Sequence, residues 1–244
     1  MKRIIKISLI LLLVGMAVIA AVPFFKEKRA ERKYENEFKK IQENVTEKKS
    51  DVNGLVKKNK DCIGYVEIPG TTISYPVMQT KDNPDFYLNH DFNRNYSFYG
   101  TPYLSAYCDV KKSDNLIIYG HNINGGKMFG ALEKYKDKEF FNKHREIYFT
   151  TDKKREYEVF AVMSVNIHEF EYWKFVMAKD EKEYDEFVDK VEEQSLWRRE
   201  NKPKYGEQML MLSTCDNGKR DDWRIVVIGI LSKESLCYEH NYEM

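Results

Sequence analysis

Residues 209–231 read MLMLSTCDNGKRDDWRIVVIGIL, two apolar runs joined by a polar turn. Each run has the length of a β-strand, and the turn is rich in Asp, Asn and Gly, so the stretch predicts an antiparallel hairpin. Alternation places Ser213 with Cys215 on one face of the first strand and Arg224 with Val226 on one face of the second. Pairing would bring Cys215 and Arg224 to the same end of a sheet. The stretch is either an ordinary hairpin with a surface arginine or one half of an active site.

Six further stretches carry strand signals, which makes eight short β segments in all. Two of them flank a turn at Pro69 and Gly70, and the others are residues 100–105, 115–119, 147–150 and 155–165. Two helical patterns interrupt the strands, at residues 128–136 and 181–196, and the second has one apolar face formed by Tyr184, Phe187, Val188 and Val191. Many short strands with few helices predict a closed β-barrel or a sandwich that carries helical insertions.

Composition excludes some classes of function. The hydrophobic content of 42% is enough for one sizeable core, and 40 Lys and Arg against 39 Asp and Glu gives no basic surface of the kind that nucleic-acid binding requires. The cysteines could form two disulfides, but their spacing matches no metal site, and we expect neither a metal nor an organic cofactor. We favour a free, functional Cys215 over a disulfide-bonded one; the other cysteines are Cys62, Cys108 and Cys237.

The N-terminus differs from the rest of the chain. Lys2, Arg3 and Lys6 precede an uncharged run over residues 7–25, close to the ~20 residues that a bilayer-spanning helix needs. The alternative is a cleaved signal peptide with its processing site near residues 18–20. We expect residues 1–25 to be an uncleaved, single-pass signal-anchor, with the remainder of the chain outside the cell.

Three further segments complete the predicted organisation. Residues 26–57 are dense in Lys and Glu and predict a charged helical stalk or N-terminal helix, with a narrow apolar stripe of Tyr34, Phe38, Ile41 and Val45. Residues 58–238 form the predicted catalytic domain, and residues 239–244 form a C-terminal tail.

His121 is the histidine best placed to act with Cys215. It directly follows the apolar strand NLIIYG and precedes the glycine-rich segment NINGG, and catalytic side chains are commonly displayed where a strand meets a loop. His144 lies in a charged segment and is expected on the solvated surface. Arg220 is the rival of Arg224, but it lies within the turn itself, where a mobile side chain is poorly preorganised.

Three features together resemble the sortases, which are membrane-anchored cysteine transpeptidases of Gram-positive bacteria. They are MLSTC at residues 211–215, YGHN at residues 119–122 and an arginine that opens the strand after the cysteine. The usual cysteine motif of that family is TLxTC, and here Met211 replaces the leading Thr. The segments IGYVEIPGTTISYPVMQ and YLNHDF and the long helix resemble class B sortases in particular. The resemblance implies a mainly β fold, a closed eight-stranded sortase barrel with N-terminal helices and a long helix between strands 6 and 7.

The resemblance also implies roles for individual residues. Cys215 would be the nucleophile, His121 its proton-transfer partner and Arg224 the stabiliser of the transition state, with the backbone N–H of Asp216 as a second oxyanion donor. The predicted substrate-binding residues are Ser213, Thr214, Asp216, Leu88 and Asn89. The implied reaction cleaves an LPxTG- or NPxTN-type sorting motif after Thr and transfers the surface protein to an amine of the peptidoglycan cross-bridge or its lipid-linked precursor.

Two other functions remain open at this point. One is a hydrolytic Cys/His peptidase of another fold. The other is a non-catalytic, membrane-tethered binding module whose Cys215 is structural.

Overall fold

The computed structural model describes residues 52–236 without a gap, together with residues 12, 15–26, 28–29, 32–33, 35–36 and 39. The predicted apolar stripe of the stalk, Cys237 and the tail at residues 239–244 lie outside the described residues. The chain divides into two compact units, Met1–Lys48 and Lys49–Met244. The described residues of the first unit are helical. Among the helices of the described residues, none is both long enough and apolar enough to cross a bilayer.

Residues 52–236 of the second unit contain eleven β-strands, eight of which form a closed barrel. In chain order the strands are β1 Cys62–Glu67, β2 Ser74–Met78, β3 Tyr103–Leu104, β4 Asn115–Tyr119, β5 Asn122–Ile123, β6 Lys127–Met128, β7 Glu146–Thr150, β8 Lys153–Asn166, β9 Ser195–Arg198, β10 Met209–Cys215 and β11 Trp223–Leu236. The ring runs β11-β10-β4-β3-β2-β1-β7-β8 and is closed by the pairing of β8 with β11. This confirms the mainly β, eight-stranded barrel.

The remaining three strands lie outside the ring. Strand β9 pairs with β8, and β5 pairs with β6 in a small separate sheet. The sequence predicted none of these three, because each is too short to show an alternating pattern.

Strand β10 lies between β4, which is parallel to it, and β11, which is antiparallel. Its first six residues are all buried. A strand that is covered on both faces has no polar face, which explains the unbroken apolar run MLML. Burial of each Leu or Met side chain contributes about 1.5–3 kcal/mol to the free energy of folding. Strand β10 is therefore firmly held, and so is the residue at its end.

Within the described residues of the second unit, the helices are α1 Val52–Lys58, α2 Lys138–Lys143 and α3 Glu181–Gln194, with 3₁₀ helices at Phe86–Leu88, Asn124–Gly126, Gly130–Lys136 and Tyr172–Lys174. Helix α3 begins where the Asp180 side chain accepts a hydrogen bond from the Glu183 N–H, an N-cap typical of aspartate. It buries the predicted face of Tyr184, Phe187, Val188 and Val191. Helix α3 lies between β8 and β10, the sixth and seventh barrel strands, as expected.

Two helix predictions need correction. The predicted helix at residues 181–196 ends at Gln194, because the chain turns into β9 at Ser195. The pattern at residues 128–136 forms a 3₁₀ helix from Gly130, since Met128 belongs to β6.

Candidate active site

Cys215 and Arg224 lie directly opposite each other at the end of the β10–β11 pair. Directly opposed residues of antiparallel strands have their Cβ atoms about 4.5–5.5 Å apart and project from the same face. Cys215 is half-buried, while the six residues before it in β10 are buried. The predicted juxtaposition is therefore present, with the thiol at the edge of the core and the guanidinium beside it.

His121 follows the strand on the other side of β10. The parallel pairing of β4 with β10 ends at Tyr119 and Ser213, so His121 and Cys215 each lie two residues beyond the last pair. The Nε2 atom of His121 lies 2.8 Å from the carbonyl oxygen of Leu88. A carbonyl only accepts, so Nε2 carries the proton, which leaves Nδ1 as the nitrogen that can exchange a proton with a thiol.

The backbone around His121 is fixed by close contacts. A Cβ atom added to Gly120 would lie 2.8 Å from the Phe129 ring, so a side chain there would displace the aromatic ring or the strand end. The Thr214 hydroxyl donates to the Gly120 carbonyl at 2.7 Å, and the Phe129 N–H donates to the His121 carbonyl at 2.9 Å. These contacts explain why glycine precedes the histidine.

One cavity of about 520 Å³ connects these residues. Cys215, His121 and Arg224 all line it, and much of the remaining wall is aromatic: Tyr103, Tyr107, Tyr119, Tyr172 and Trp173. Such a groove suits an extended peptide, because aromatic rings supply apolar area and hydroxyl groups supply a few directed hydrogen bonds.

Tyr172 forms part of the buried wall of this cavity. Its hydroxyl lies 2.7 Å from the hydroxyl of Ser213. Burial raises the pKa of Tyr172 to about 12, although the Ser213 hydroxyl and the charge of Arg224 act to lower it. The phenol is therefore neutral at physiological pH and can serve as a hydrogen-bond donor.

The predicted substrate-binding residues separate into two groups. Ser213, Thr214 and Leu88 line the cavity with the three candidate catalytic residues. Asn89 is exposed and Asp216 is buried, and neither lines the cavity.

The expected oxyanion role of Asp216 does not fit this arrangement. Its backbone N–H donates to the Trp223 carbonyl at 3.0 Å and closes the turn between β10 and β11. An N–H used in this way is not available to an oxyanion. Arg224, which lines the cavity beside Cys215, stays the candidate oxyanion donor.

The Asp216 side chain is instead part of an ion network beneath the turn. It is fully buried and accepts from the Lys136 ammonium at 2.5 Å and from the Ser164 hydroxyl at 2.7 Å. Lys136 also pairs with Glu133 at 2.6 Å. Burial by itself would raise the pKa of Asp216, but the hydrogen bonds from Lys136 and Ser164 outweigh it and hold the pKa below its ordinary value.

The same network holds the backbone of the cysteine. The Asn122 side-chain amide donates to the Cys215 carbonyl at 2.7 Å and to Glu133 Oε1 at 2.8 Å. The Asn217 N–H donates to the same Glu133 oxygen at 2.9 Å. The 3₁₀ helix that carries Glu133 therefore positions the residues on both sides of the cysteine turn.

The two arginines of the hairpin differ sharply in environment. Arg224 is half-buried, and its Nη1 atom donates to the carbonyls of Asp221 at 2.6 Å and Trp223 at 2.9 Å. Arg220 has 81% of its side chain exposed and pairs with Asp222. Arg220 does not line the cavity, so Arg224 is the arginine of the site.

Residues 66–232 match the family model of the Sortase domain, which is more than half of the chain. The chain belongs to the sortase family.

Individual relatives place this sortase in class B. It is 30% identical to Sortase B of Staphylococcus aureus over 96% of this chain and 99% of the relative, and 32% identical to Sortase B of Listeria monocytogenes over 76% and 75%. A solved structure described as a Staphylococcus aureus sortase B-substrate complex aligns with a TM-score of 0.75 at 27% identity, covering 86% of this chain and 99% of that one. Another, a Sortase B complexed with triglycine, aligns with a TM-score of 0.73 at 28% identity over 85% and 99%. The protein is a cysteine transpeptidase.

The other described cysteines of this sortase lie in its core. Cys62, Cys108 and Cys215 are all free thiols. Burial raises the pKa of Cys62 to about 12 and that of Cys108 to about 11. Among the described residues, Cys215 alone combines a free thiol with partial exposure.

The prediction that His144 is a surface residue is wrong. Only 9% of it is exposed, because its ring stacks on Phe140 with centroids 3.8 Å apart where helix α2 ends. The charged neighbours of His144 in the sequence suggested exposure. Its burial comes from Phe140, which lies one helical turn earlier and covers the ring. His144 does not line the catalytic cavity.

Proposed function

We propose that this sortase uses Cys215 to cleave an LPxTG- or NPxTN-type sorting motif after Thr and joins the surface protein to a peptidoglycan amine. The observation that carries the proposal is the convergence of Cys215, His121 and Arg224 on a single cavity of about 520 Å³. A thiol, an imidazole and a fixed cation on one groove are the groups that acyl transfer requires.

In the first half-reaction the Cys215 thiolate attacks the carbonyl carbon of the motif threonine. A bond forms between Sγ and that carbon, and the C–N bond to the next residue breaks. The departing amine takes a proton from the His121 imidazolium, which becomes neutral. Because Nε2 is held by the Leu88 carbonyl, the transferred proton comes from Nδ1.

Arg224 stabilises the oxyanion that forms during the attack. A guanidinium has five N–H donors, and the contacts to Asp221 and Trp223 use only Nη1, so other donors can face the substrate oxygen. These contacts also hold the cation in place before substrate arrives, which lowers the reorganisation needed in the transition state.

In the second half-reaction an amine attacks the thioester carbon. A C–N bond forms, the C–S bond breaks, and neutral His121 takes the proton that the amine loses. The related Sortase B complexed with triglycine supports an amine-bearing peptide as acceptor, and the substrate complex of the Staphylococcus aureus relative supports a peptide donor in the groove. We propose a peptidoglycan cross-bridge, or its lipid-linked precursor, as the natural acceptor.

We further propose that residues 1–25 anchor the enzyme in the cell membrane, with the catalytic domain outside. The uncharged run over residues 7–25 supports an anchor, and large apolar side chains such as Met16, Ile19 and Phe25 are exposed, with relative exposures of 50%, 74% and 68%. Fractionation of cells that produce the full chain tests this proposal. Recovery with the membranes, and digestion of the catalytic domain by protease added to protoplasts, is expected; a soluble cytoplasmic enzyme would contradict it.

The proposed reaction is tested with detergent-solubilised full-length protein and peptides of the two motif types, with and without triglycine. Mass spectrometry is expected to find an amide-joined product of peptide and triglycine that requires wild-type Cys215 and is absent for Cys215→Ala. Cys108→Ala is the matched control and is expected to retain the product. Products that carry only a new carboxyl terminus in the presence of triglycine would contradict the proposed transfer.

A further inference from the structure

Asp85 stands at the beginning of the 3₁₀ helix Phe86–Leu88, where an aspartate ordinarily caps the first turn. Here its side chain makes no capping hydrogen bond. The Tyr103 hydroxyl donates to its Oδ1 atom at 3.1 Å instead, and the residue lines the catalytic cavity. The carboxylate is thus turned into the groove rather than used by its own helix.

The position of Asp85 relative to the catalytic groups is fixed by a single turn of backbone. The Leu88 N–H donates to the Asp85 carbonyl at 3.0 Å, and the Leu88 carbonyl binds His121 at 2.8 Å. One end of this short helix therefore holds the imidazole, and the other end presents a carboxylate. Tyr103 pairs with Tyr119 across β3 and β4, two residues before His121, and completes the same wall.

Apart from His121, the charged residues that line the cavity are Asp85 and Arg224. Both charges act on the tyrosines of the wall. Burial is the main cause that raises the pKa of Tyr103 and Tyr119, the Asp85 charge raises both further, and the Arg224 charge acts to lower them. The groove therefore has a cationic side at Arg224 and an anionic side at Asp85.

No basic side chain of residues 52–236 forms an ion pair with Asp85, which is an exposed residue. Arg224 instead contacts the carbonyls of Asp221 and Trp223. The Asp85 carboxylate is held by the Tyr103 hydroxyl and lies in a peptide groove. It therefore favours a positively charged side chain of the bound peptide.

We propose that Asp85 is a specificity-determining residue that makes this sortase prefer sorting signals with a cationic side chain upstream of the cleaved bond. This inference rests on the proposed function. The acceptor amine also carries an ammonium group that could bind Asp85. The test therefore measures acyl-enzyme formation without any acceptor present.

The experiment uses full-length enzyme and NPxTN-type peptides with Lys, Gln or Glu at the variable position, and a second series varied at the residue before the motif. An exposed ion pair changes affinity by up to about fivefold, and replacing Lys by Glu exchanges attraction for repulsion, so the wild type is expected to acylate about tenfold faster with Lys in at least one series. Asp85→Asn is expected to reduce that ratio to about twofold, with the Gln peptide as the neutral reference for each enzyme.

Asp82→Asn is the matched control, because Asp82 is exposed, lies three residues away and does not line the cavity. It is expected to keep the wild-type preference. Equal rates for Lys and Glu in both series, or a preference that stays at about tenfold in Asp85→Asn, would overturn the inference and leave the proposed function intact. A preference that appears only when triglycine is added would also overturn it, since the acceptor would then be the bound cation. Failure of the wild type to acylate with any peptide would overturn the proposed function and this inference with it.

Discussion

Two kinds of cysteine environment in this protein differ in depth and in the side chains that surround the thiol. Cys62 and Cys108 are 2% and 1% exposed within the barrel domain, and burial raises their pKa values to about 12 and about 11. Cys215 ends a buried strand, is half-buried itself and opens onto a cavity beside an imidazole and a guanidinium. The end of strand β10, which is paired on both sides, gives the thiol a rigid support and access to a substrate.

The largest expected difference is in thiol reactivity. At about pH 8 a thiol with a pKa near 12 is ionised in roughly one molecule in ten thousand, and burial also excludes the reagent. We therefore expect Cys215 to react with iodoacetamide about a thousandfold faster than Cys62 or Cys108 in the native protein, as followed by peptide mapping. In about 8 M urea all three are expected to react at similar rates. If either core thiol of the folded protein were labelled at more than one tenth of the rate of Cys215, the two environments would not differ as described.

The second difference concerns the two arginines of the hairpin. Loss of one oxyanion donor typically costs about 100–1,000-fold in rate, and we expect Arg224→Ala to lose that much kcat/KM in peptide cleavage. Arg220→Ala is the control, and we expect it to stay within about twofold of wild type because its exposed ion pair contributes little. Similar losses in the two variants would contradict the role of Arg224.

The smallest expected effect is on stability, through Asp216 beneath the turn. Its folded-state pKa lies below the ordinary value, so its stabilising contribution is present above about pH 4 and is lost as the pH falls through the lower folded-state pKa. We expect Asp216→Asn to lower the free energy of unfolding by about 1–3 kcal/mol at neutral pH, less than for a fully buried pair because Lys136 is partly exposed and keeps Glu133.

Urea unfolding of wild type and variant measures this effect. The difference between them is expected to shrink as the pH falls below about 4, while Asp82→Asn follows the wild type throughout. A difference that is the same at neutral and acidic pH would mean that the charge of Asp216 is not what stabilises the turn.

The individual strands and half of the site could be predicted because their signals are local. The strand pattern alone left a closed barrel or a sandwich open, and the eight-stranded barrel followed from the resemblance to sortases. Strand alternation and a short turn were enough to pair Cys215 with Arg224, and the register of β10 and β11 confirms that pairing. The burial of one face of α3 followed from its 3.6-residue period. The position of His121 between an apolar strand and a glycine-rich segment already favoured it among five histidines, and the resemblance to sortases gave it a role.

The groove walls could not be predicted because they come from distant, irregular segments. Tyr172 reaches Ser213 from a 3₁₀ helix 41 residues away, and Lys136 reaches Asp216 across 80 residues. Nothing local in the sequence marks such contacts. The burial of Asp216 was missed for this reason, since a charged residue in a polar turn normally faces water.

The most direct test of the central claim is the mass of the intact enzyme after brief mixing with a sorting-motif peptide in the absence of amine. We predict an adduct with the mass of the acyl group that ends at the motif threonine, mapped to Cys215. Hydroxylamine is expected to release it, as it would a thioester, and Cys215→Ala is expected to lack it. An adduct on another residue, or peptide cleavage by Cys215→Ala at the wild-type rate, would contradict the central claim.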